Sequence, residues 1–461
     1  MAKAKKKETL SLEEKLEQAL VPADEQPYEV PENWCWVTVG NIVDLHRGVS
    51  YKKNEGHSVK EENDCLVMRG GNILEGAIDV EADNIYVDKS LIKTEQYVRE
   101  NDIIIVSSTG STKVIGRAGI SYADYDDVSF GAFLTLVRPK EQINKRYVDY
   151  YFQSQIYRER IRSLASGVNI NNIRTEYITN SPIPLPPLAE QQRIVEQIEN
   201  LFAKLDEAKE KAQNVLESVE DRRLAILSEA FSGKLTTNWR NGNDFSADTV
   251  LLSDICTKIT DGFHNSPKPV EEGYPYVMAG CVKEQGIDYY NGLFMDEKNH
   301  RELYNKAHPE RGDILMVNIG AGSGTAAVID VDFEFSFKNS AILKLKKDIV
   351  NPRYVLYYLW LRKKYLLIEV TRGGAQPFLS LKIINSISIP ICSLEEQNEI
   401  VRIVDSLLES ETTIREKQEK VIDSIDLLKK SILAKAFRGE LGTNNLTEES
   451  SIELLKSILE K

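Results

Sequence analysis

The chain has 461 residues, of which 42% are hydrophobic and 28% charged, and its formal net charge at pH 7 is −13. This composition excludes a disordered or fibrous chain and predicts a globular protein of about two to four domains. The acidic total argues against a protein coated in basic patches, although a local basic surface can still bind nucleic acid.

The five cysteines are scattered and form no CxxC pair. This spacing argues against a disulfide framework or a zinc site. The basic start of the chain, residues 1–7, lacks the apolar stretch of a secretory signal, and no apolar run approaches the length of a membrane span. We therefore expect a protein of the reducing cytoplasm.

The first elements in chain order are a basic tip and one short helix within residues 1–27, ended by Pro22. Residues 28–182 form the first globular module, whose short β-branched runs bounded by Gly, Asp or Asn predict strands. A tyrosine-rich helix is predicted from Arg146 to about Ala165, and we expect its tyrosines to lie in the core.

Two spacer-helix regions, residues 183–240 and 389–441, are predicted, and residues 183–235 of the first are repeated, without gaps, by residues 389–441. Gln397 lies 206 positions after Gln191, and Phe437 lies 206 positions after Phe231. A match of this length predicts two copies of one unit in a dimer-like, pseudo-two-fold scaffold. Residues 442–461 are predicted to form a tail helix.

Residues 241–388 repeat the plan of the first module with more drift. The matched segments are Val67–Asn72 with Val277–Val282, which puts Cys281 opposite Gly71, then Asn101–Ser107 with Gly312–Asn318, and Arg146–Val148 with Arg353–Val355. The loops between them differ, since Ser108–Lys113 corresponds to Ile319–Gly324. A shared scaffold with two different sets of loops predicts two modules that have the same function but act on two different targets.

The repeated segments have apolar residues at alternating spacings of four and three, the seam of a coiled coil. About forty residues at 1.5 Å per residue would make each helix roughly 60 Å long. The predicted seam residues are Ile194, Ile198, Leu201, Leu205, Val215 and Val219 in the first helix, and Ile400, Val404, Leu407, Ile414, Val421, Ile425 and Leu428 in the second.

Polar residues interrupt the two seams in different places. Glu411 and Gln418 stand in the second seam, and Arg222 stands in the first. Polar seam residues commonly select register and partner, so we expect the two helices to pair with each other in antiparallel orientation. The alternative is that these long side chains simply extend into water.

Motifs of catalysis and cofactor binding are missing from the sequence. There is no GxxxxGK[ST], HExxH or GxSxG segment and no pair of cysteine ligands. Gly320–Gly324 follows a predicted strand, but its glycine spacing does not fit a dinucleotide site and no helix pattern follows it. We expect no catalytic residue and no metal or cofactor site.

Polar, glycine-rich loops follow the predicted strands of both modules. Glycine allows close backbone approach, and Arg, Lys, Asn, Gln, Ser and Thr contact bases and phosphates, although ordinary turns have the same composition. The candidate DNA contacts are Arg69, Asn72, Ser107, Thr109, Lys113, Arg117, Asn169, Asn171, Asn172 and Arg174 in the first module, and Lys283, Asn318, Ser323, Lys338, Arg372 and Gln376 in the second.

Basic residues follow the tyrosines of each predicted helix. They are Arg158, Arg160 and Arg162 in the first module, and Arg362, Lys363 and Lys364 in the second. These side chains either form a solvated face or contact phosphates, and we favour the solvated face.

The chain resembles the specificity subunit of Type I restriction–modification systems over nearly its whole length. The motifs that carry the resemblance are Pro184–Gln191 and Pro390–Gln397, the Ala-Phe-x-Gly-x-Leu helix ends at 230–235 and 436–441, the strands that begin at Asp102 and Asp313, and the segment Glu25–Trp34. Together these motifs are specific, whereas each alone would be weak.

The resemblance implies an α+β protein with two mixed α/β target recognition domains in a pseudo-two-fold arrangement, separated by two long antiparallel coiled-coil helices. Each domain would read one half of a bipartite, asymmetric site in double-stranded DNA, and the helices would set the spacer. The implied partners are two methyltransferase (modification) subunits and restriction subunits, which bring S-adenosylmethionine, ATP and Mg. This chain would bind no cofactor, and we expect Cys281 to pack rather than read a base.

Two other functions remain open at this point. A coiled-coil adaptor could bind proteins through its repeated domains, and it would show no salt-dependent affinity for DNA. A self-sufficient nuclease would show metal-dependent activity in the purified chain.

Overall fold

The structure, a computed structural model, describes residues 10–165, 171–241, 244–263, 267–320, 322–370 and 378–460. It divides the chain into two compact units, residues 1–211 with 421–461 and residues 212–420. In the described part of the chain, no helix is long and apolar enough to cross a membrane.

The described chain begins with helix α1 (Leu12–Ala19), which Ser11 and Glu14 close with a capping box. The strands that follow are β1 (Cys35–Thr38), β2 (Val43–Arg47), β3 (Asp64–Met68), β4 (Tyr86–Asp88), β5 (Ile103–Val106), β6 (Ser108–Thr109), β7 (Ala118–Ile120), β8 (Val128–Phe130) and β9 (Leu134–Pro139). Then come α2 (Lys145–Gln153), α3 (Gln155–Ala165), β10 (Asn171–Asn172), α4 (Thr175–Thr179) and β11 (Pro182–Leu185).

The repeated segments and the second module continue the chain. Their elements are α5 (Leu188–Glu217), α6 (Val219–Phe231), β12 (Asp248–Leu251), α7 (Leu252–Ile255), β13 (Cys256–Asp261), β14 (Tyr274–Val277), β15 (Val282–Lys283), β16 (Gly286–Ile287), β17 (Phe294–Met295), α8 (Glu297–Ala307), β18 (Ile314–Val317), β19 (Ala326–Val328), β20 (Ser336–Phe337) and β21 (Ser340–Leu345). The last are α9 (Pro352–Val370), α10 (Leu381–Asn385), β22 (Ser388–Ile391), α11 (Leu394–Phe437) and α12 (Ser451–Leu459).

The two units contain the same sheets. The first has an antiparallel sheet in the order β2-β9-β5-β7 and a sheet β4-β3-β8 in which β3 and β8 are parallel. The second has β13-β21-β18-β19 and β17-β14-β20, with β14 and β20 parallel. The central strands β5 and β18 are buried along their whole length, as their unbroken apolar runs require. The predicted α+β repeat is confirmed.

The repeated Glu-Gln motif has the same structural role in each unit. The buried Gln191 amide donates to the Pro186 carbonyl oxygen at 2.9 Å and accepts from the Asn144 backbone N–H at 3.0 Å. Gln397 makes the equivalent bonds to Cys392 and Asn351, both at 2.9 Å. A buried amide with both ends bonded joins the start of the long helix to the domain beside it.

The predicted match of Cys281 with Gly71 is wrong by one residue. Gly131 donates its backbone N–H to the Met68 carbonyl, and Lys338 donates to the Val277 carbonyl. Met68 therefore corresponds to Val277, which places Cys281 opposite Asn72. The repeated Val-Met pair had favoured the shifted match, whereas the register of the parallel strands decides the true one.

The tyrosine-rich helix of the first unit is interrupted, although the sequence predicts a single helix. Ser154, between α2 and α3, has extended backbone angles, and its hydroxyl donates to the Tyr151 carbonyl at 2.6 Å. The aromatic side chains still lie in the core as predicted, and Tyr147 and Tyr151 donate their hydroxyls to Pro184 and Pro182 at 2.8 and 2.9 Å.

The long helices pair in antiparallel orientation within each unit. In the first unit, Lys209 of α5 contacts Asp426 of α11 at 2.9 Å, and Asp206 contacts Lys429, so numbers rise on one helix as they fall on the other. In the second unit, Arg222 of α6 binds the Glu411 carboxylate through three N–H···O contacts of 2.8–3.1 Å. The antiparallel coiled coil is confirmed.

The first repeated helix is also broken, at Ser218 between α5 and α6. The Ser218 hydroxyl donates to the carbonyl oxygens of Asn214 and Val215, both at 3.0 Å, and Arg222 donates to the Val215 carbonyl at 3.1 Å. These bonds compete with the helical hydrogen-bond ladder, so the helix ends and restarts there.

Part of the predicted seam is wrong. Ile194, Ile198, Ile400, Val404 and Ile425 are buried, and Leu201, Leu205, Val215, Val219 and Leu407 are half-buried. In contrast, Ile414, Val421 and Leu428 of α11 are 38–49% exposed. The neighbours of the last two, Ile422 and Lys429, are half-buried, so the buried stripe is displaced by one residue there, whereas both Ile414 and the following Arg415 are exposed.

Candidate nucleic-acid interface

Three segments of the first unit meet at the carboxyl end of strand β5. Ser107 and Ser108 donate their backbone N–H groups to the Phe133 carbonyl at 2.9 and 3.1 Å. Ile173, next to β10, donates to the Ser107 carbonyl at 2.8 Å, and β10 pairs with β6. Residues from three distant parts of the sequence thus form one edge of the domain, which we call the first face.

A fourth segment, the Arg69–Asn72 loop, borders the first face. Arg117 donates from Nη2 to the Gly70 carbonyl at 2.9 Å. Arg69 is exposed and lies 3.2 Å from the Asp83 carboxylate. Because both side chains are about half-exposed, this ion pair is weak enough to exchange for another anion.

The candidate residues of the first face differ in what their side chains can do. Lys113, Asn172 and Arg174 are exposed together with Arg69, and Thr109 and Arg117 are half-buried. Ser107 is buried and donates its hydroxyl to Thr135 Oγ1 at 2.5 Å. The exposed set can donate to base edges or phosphates, whereas Ser107 holds the strand end.

Asn72 has a structural role in its loop. Its side chain is fully buried, Oδ1 accepts from the Arg69 backbone N–H at 2.7 Å, and Nδ2 donates to the Asp79 carbonyl at 2.8 Å and to the Ala82 carbonyl. Both N–H groups of the Asn72 side chain and its oxygen are thus bonded within the protein. In the second unit Cys281, at the equivalent position, accepts a contact from Asn291 Nδ2 at 2.9 Å, so it packs as expected.

The second unit builds its own face from the same frame. Asn318 donates its backbone N–H to the Asn339 carbonyl at 3.1 Å, and Leu379 donates to the Asn318 carbonyl at 2.8 Å. Asn318 and Ser323 are buried, and the Ser323 hydroxyl donates to the Gly320 carbonyl at 2.7 Å. Lys283 is exposed and Lys338 half-buried, so these two lysines are the accessible candidates of this second face.

Four candidate side chains lie outside the described residues. They are those of Asn169, Asn171, Arg372 and Gln376.

Sequence reasoning missed an aromatic residue on the first face. Phe133 is 70% exposed, although its carbonyl anchors the strand end. The second unit has Asn339 in this place, on a turn that is one residue shorter between Phe337 and Ser340 than between Phe130 and Leu134. An apolar ring can contact a thymine methyl group, and the unequal turn lengths were the available signal.

The solvated face favoured for the basic residues of α3 is wrong for Arg158, whereas the exposure of Arg160 and Arg162 is compatible with either a solvated face or contact with phosphate. Arg160 and Arg162 are exposed, whereas Arg158 is only 7% exposed. In α9, Lys364 is exposed, Arg362 is half-buried, and Lys363 forms an ion pair with Glu284 at 3.0 Å.

The His, Cys, Asp and Glu side chains of the described residues are the candidates for metal ligands, and the cysteines are the candidates for reactive thiols. Within the described ranges, no group of three or more His, Cys, Asp or Glu side chains could hold a metal ion. Burial raises the pKa of the Cys65 and Cys256 thiols to about 12, and that of Cys35 and Cys392 to about 11. Protonated, buried thiols are poor nucleophiles, so these four cysteines are packing residues.

Comparison with known proteins agrees with these features. The family model described as the Type I restriction modification DNA specificity domain matches residues 31–218 and 247–424. The Type I restriction enzyme EcoKI specificity subunit of Escherichia coli K12 is 30% identical over 423 residues, and the match covers 90% of each chain. The StySPI specificity subunit of Salmonella potsdam is 29% identical, also over 90% of each chain.

Two solved structures have the same fold. One, from work on complex assembly and conformational transition of the type I R-M system, has a TM-score of 0.67 and 20% identity, and covers 90% of this chain and all of that one. The HsdS subunit from Thermoanaerobacter tengcongensis has a TM-score of 0.56, with the same identity and coverage. With its two copies of the specificity domain, the chain belongs to the Type I restriction–modification specificity subunit family.

Proposed function

We propose that this chain reads a bipartite, asymmetric site in double-stranded DNA for a Type I restriction–modification complex. Each module would read one half-site through its own face. The observation that carries the proposal is a difference between two similar units. Both have the same sheets and the same backbone hydrogen bonds at the strand ends, but the side chains at those ends differ.

The differences between the faces are chemical. The first face presents Phe133, Lys113, Asn172 and Arg174, and the corresponding turn of the second carries Lys338 and Asn339. Base edges in the major groove differ in their donors, acceptors and methyl groups, so two faces with different side chains select different sequences. Identical frames with different contact surfaces are what an asymmetric, two-part site requires.

The partners follow from the family. The chain would dock two methyltransferase subunits and restriction subunits in the cytoplasm, and it would perform no catalysis itself. S-adenosylmethionine, ATP and Mg would be bound by those partner subunits. The acidic net charge of this chain is compatible with DNA binding if the methyltransferase subunits provide much of the phosphate contact.

The test is sequencing of adenine methylation in host cells with and without this chain. We expect one split motif to lose methylation when the chain is deleted. If no split motif loses methylation, the proposal is wrong.

Two variants resolve the parts of the proposal. Exchange of residues 28–182 for the module of another family member should change one half-site and leave the other unchanged, so each half-site is the control for its partner. Lengthening both long helices by one heptad should change the spacer alone. A module exchange that altered both half-sites would contradict independent reading.

A further inference from the structure

A group of cationic side chains lies beneath the loop that follows β6 in the first unit. We call Arg117, Arg158 and Arg162 the arginine cluster. Arg158 and Arg162 of α3 donate from Nη2 to the same Lys113 carbonyl, at 3.0 and 3.3 Å, and Arg117 is bonded to the Gly70 carbonyl. The cluster therefore joins the Lys113 loop to the Arg69–Asn72 loop from below.

The two inner members of the cluster have no anionic partner. Among the residues that the structure describes, no carboxylate lies within 4.0 Å of Arg117 or Arg158. Arg158 Nη1 and Arg117 Nε are buried and have no hydrogen-bond partner in those residues. Burial of a guanidinium without a counter-ion is costly, because the charge loses hydration that single carbonyl hydrogen bonds replace only in part.

The electrostatic surroundings of Arg158 agree with this geometry. Burial lowers the pKa of Arg158, the nearby positive charges of Arg162 and Arg117 lower it further, and Glu75 opposes them. Arginine stays protonated in proteins, so the unneutralised positive charge remains and attracts an anion. Lys113 and Arg162 are exposed and form the accessible rim above it.

In the described part of the second unit, the cation at the equivalent place has an anionic partner. Thr325 replaces Arg117, as shown by the matching backbone bonds of Val106 to Arg117 and of Val317 to Thr325. Lys363 packs against Gly324, but its Nζ lies 3.0 Å from both Glu284 and Thr325, and Glu284 is also bonded to Arg223. The cation there is neutralised, so the arginine cluster is particular to the first module.

We propose that the arginine cluster, with Lys113 at its rim, binds a backbone phosphate of DNA beside the first half-site. This inference rests on the proposed function. It adds residues that bind the DNA backbone, as distinct from those that contact bases. A phosphate diester carries one negative charge and accepts paired N–H bonds, which suits a group of guanidinium ions. Buried charges beneath the rim act through a low dielectric and are less screened by salt than surface charges.

The experiment measures binding of the full-length chain, assembled with its methyltransferase subunits, to a labelled duplex of random sequence by fluorescence anisotropy at several NaCl concentrations. Each neutralised phosphate contributes about 0.9 to the slope of log Kd against log salt. We expect the double variant K113Q/R162Q to lower this slope by about one and to weaken binding to all sequences alike. K363Q is the matched control, because Glu284 already neutralises Lys363, and it should leave the slope unchanged.

The inner position is tested with Arg158. R158K keeps the charge and should keep the slope, whereas R158M should lower it; circular dichroism of each variant shows whether the chain is folded. If R158M does not fold, the exposed rim variant still decides the question. A wild-type complex with the methyltransferase subunits that binds no duplex would contradict the proposed function itself. Wild-type binding with an unchanged slope and affinity in K113Q/R162Q would overturn the phosphate site alone.

Discussion

Replacement of Asn72 by alanine separates a residue that shapes a recognition loop from one that reads a base. The variant removes a fully buried amide that accepts from the Arg69 N–H and donates to the Asp79 and Ala82 carbonyls. If Asn72 holds the loop, its loss should loosen the first face as a whole. If it read a base, its loss should change one position of the half-site and leave stability untouched.

The expected loss of stability follows from the backbone groups that N72A leaves without a hydrogen-bond partner. A buried polar group without its partner costs about 1–3 kcal/mol, and the Arg69 N–H would lose its acceptor. Asp79 and Ala82 are half-buried, so water can partly replace the amide at their carbonyl oxygens. We expect N72A to destabilise the loop by roughly 2 kcal/mol. N72D should not rescue it, because a carboxylate oxygen would face two carbonyl oxygens.

Two assays report the result. Hydrogen exchange followed by mass spectrometry should show residues 69–82 opening about thirtyfold more often, the factor that corresponds to 2 kcal/mol. C281A is the matched control in the second unit, since Cys281 accepts a single weak contact from Asn291 and should change exchange little. Adenine-methylation sequencing of N72A should show uniformly weaker methylation of the intact motif.

One outcome would refute this reasoning. Unchanged exchange across residues 69–82, together with altered preference at one base of the first half-site, would make Asn72 a base-reading residue. The loop hydrogen bonds would then contribute nothing measurable to its order.

Three further predictions concern stability. E411R should lower the melting temperature, because it places a second positive charge beside Arg222. The double variant R222E/E411R should restore the melting temperature, since it exchanges the two charges. A parallel or shifted helix pair would not show this rescue. Burial raises the pKa of Asp149 from 3.8 to about 6, so the folded state binds more protons between these values. The contribution of this carboxyl group to the free energy of unfolding therefore increases as the pH falls from 7 to 4. D149N should remove that contribution in urea unfolding at several pH values, and an unchanged pH dependence would contradict it. G233A should destabilise the fold by about 1–2 kcal/mol because of the positive φ of 76°, and by more because the new methyl group would overlap the Phe245 ring. G442A, at φ 74° and with open space around it, should cost only the first amount. Equal losses of stability in thermal unfolding would exclude the overlap.

The frame was predictable because its signals are local or repeated. The apolar spacing of the long helices, the short β-branched runs and the duplicated Glu-Gln motif each identify an element without knowledge of its neighbours. The breaks at Ser154 and Ser218 were not predictable in this way. At each break, a serine hydroxyl donates to a backbone carbonyl instead of to water. Serine can form this bond at many helical positions without ending the helix, so its presence in the sequence does not predict a break.

The positions of the candidate faces were predictable from the sequence, but which of their side chains are exposed was not. The loops after β3, β5 and β18 do lie at strand ends, yet they bury Asn72, Ser107, Asn318 and Ser323. A polar residue in a loop has the same composition signal whether it points to solvent or to a backbone carbonyl. Which of the two occurs depends on the partners that the fold brings within reach.

The sequence by itself determined the duplication, the long paired helices, the two α/β modules and the family. These follow from periodicity and repetition, which a single chain displays along its length. Tertiary structure decided the one-residue register of Cys281, the exposure of the predicted seam residue Ile414 and the burial of Arg158. Arg158 bonds to Lys113, 45 residues earlier, so only the folded chain shows that this arginine lies beneath the loop rather than in water.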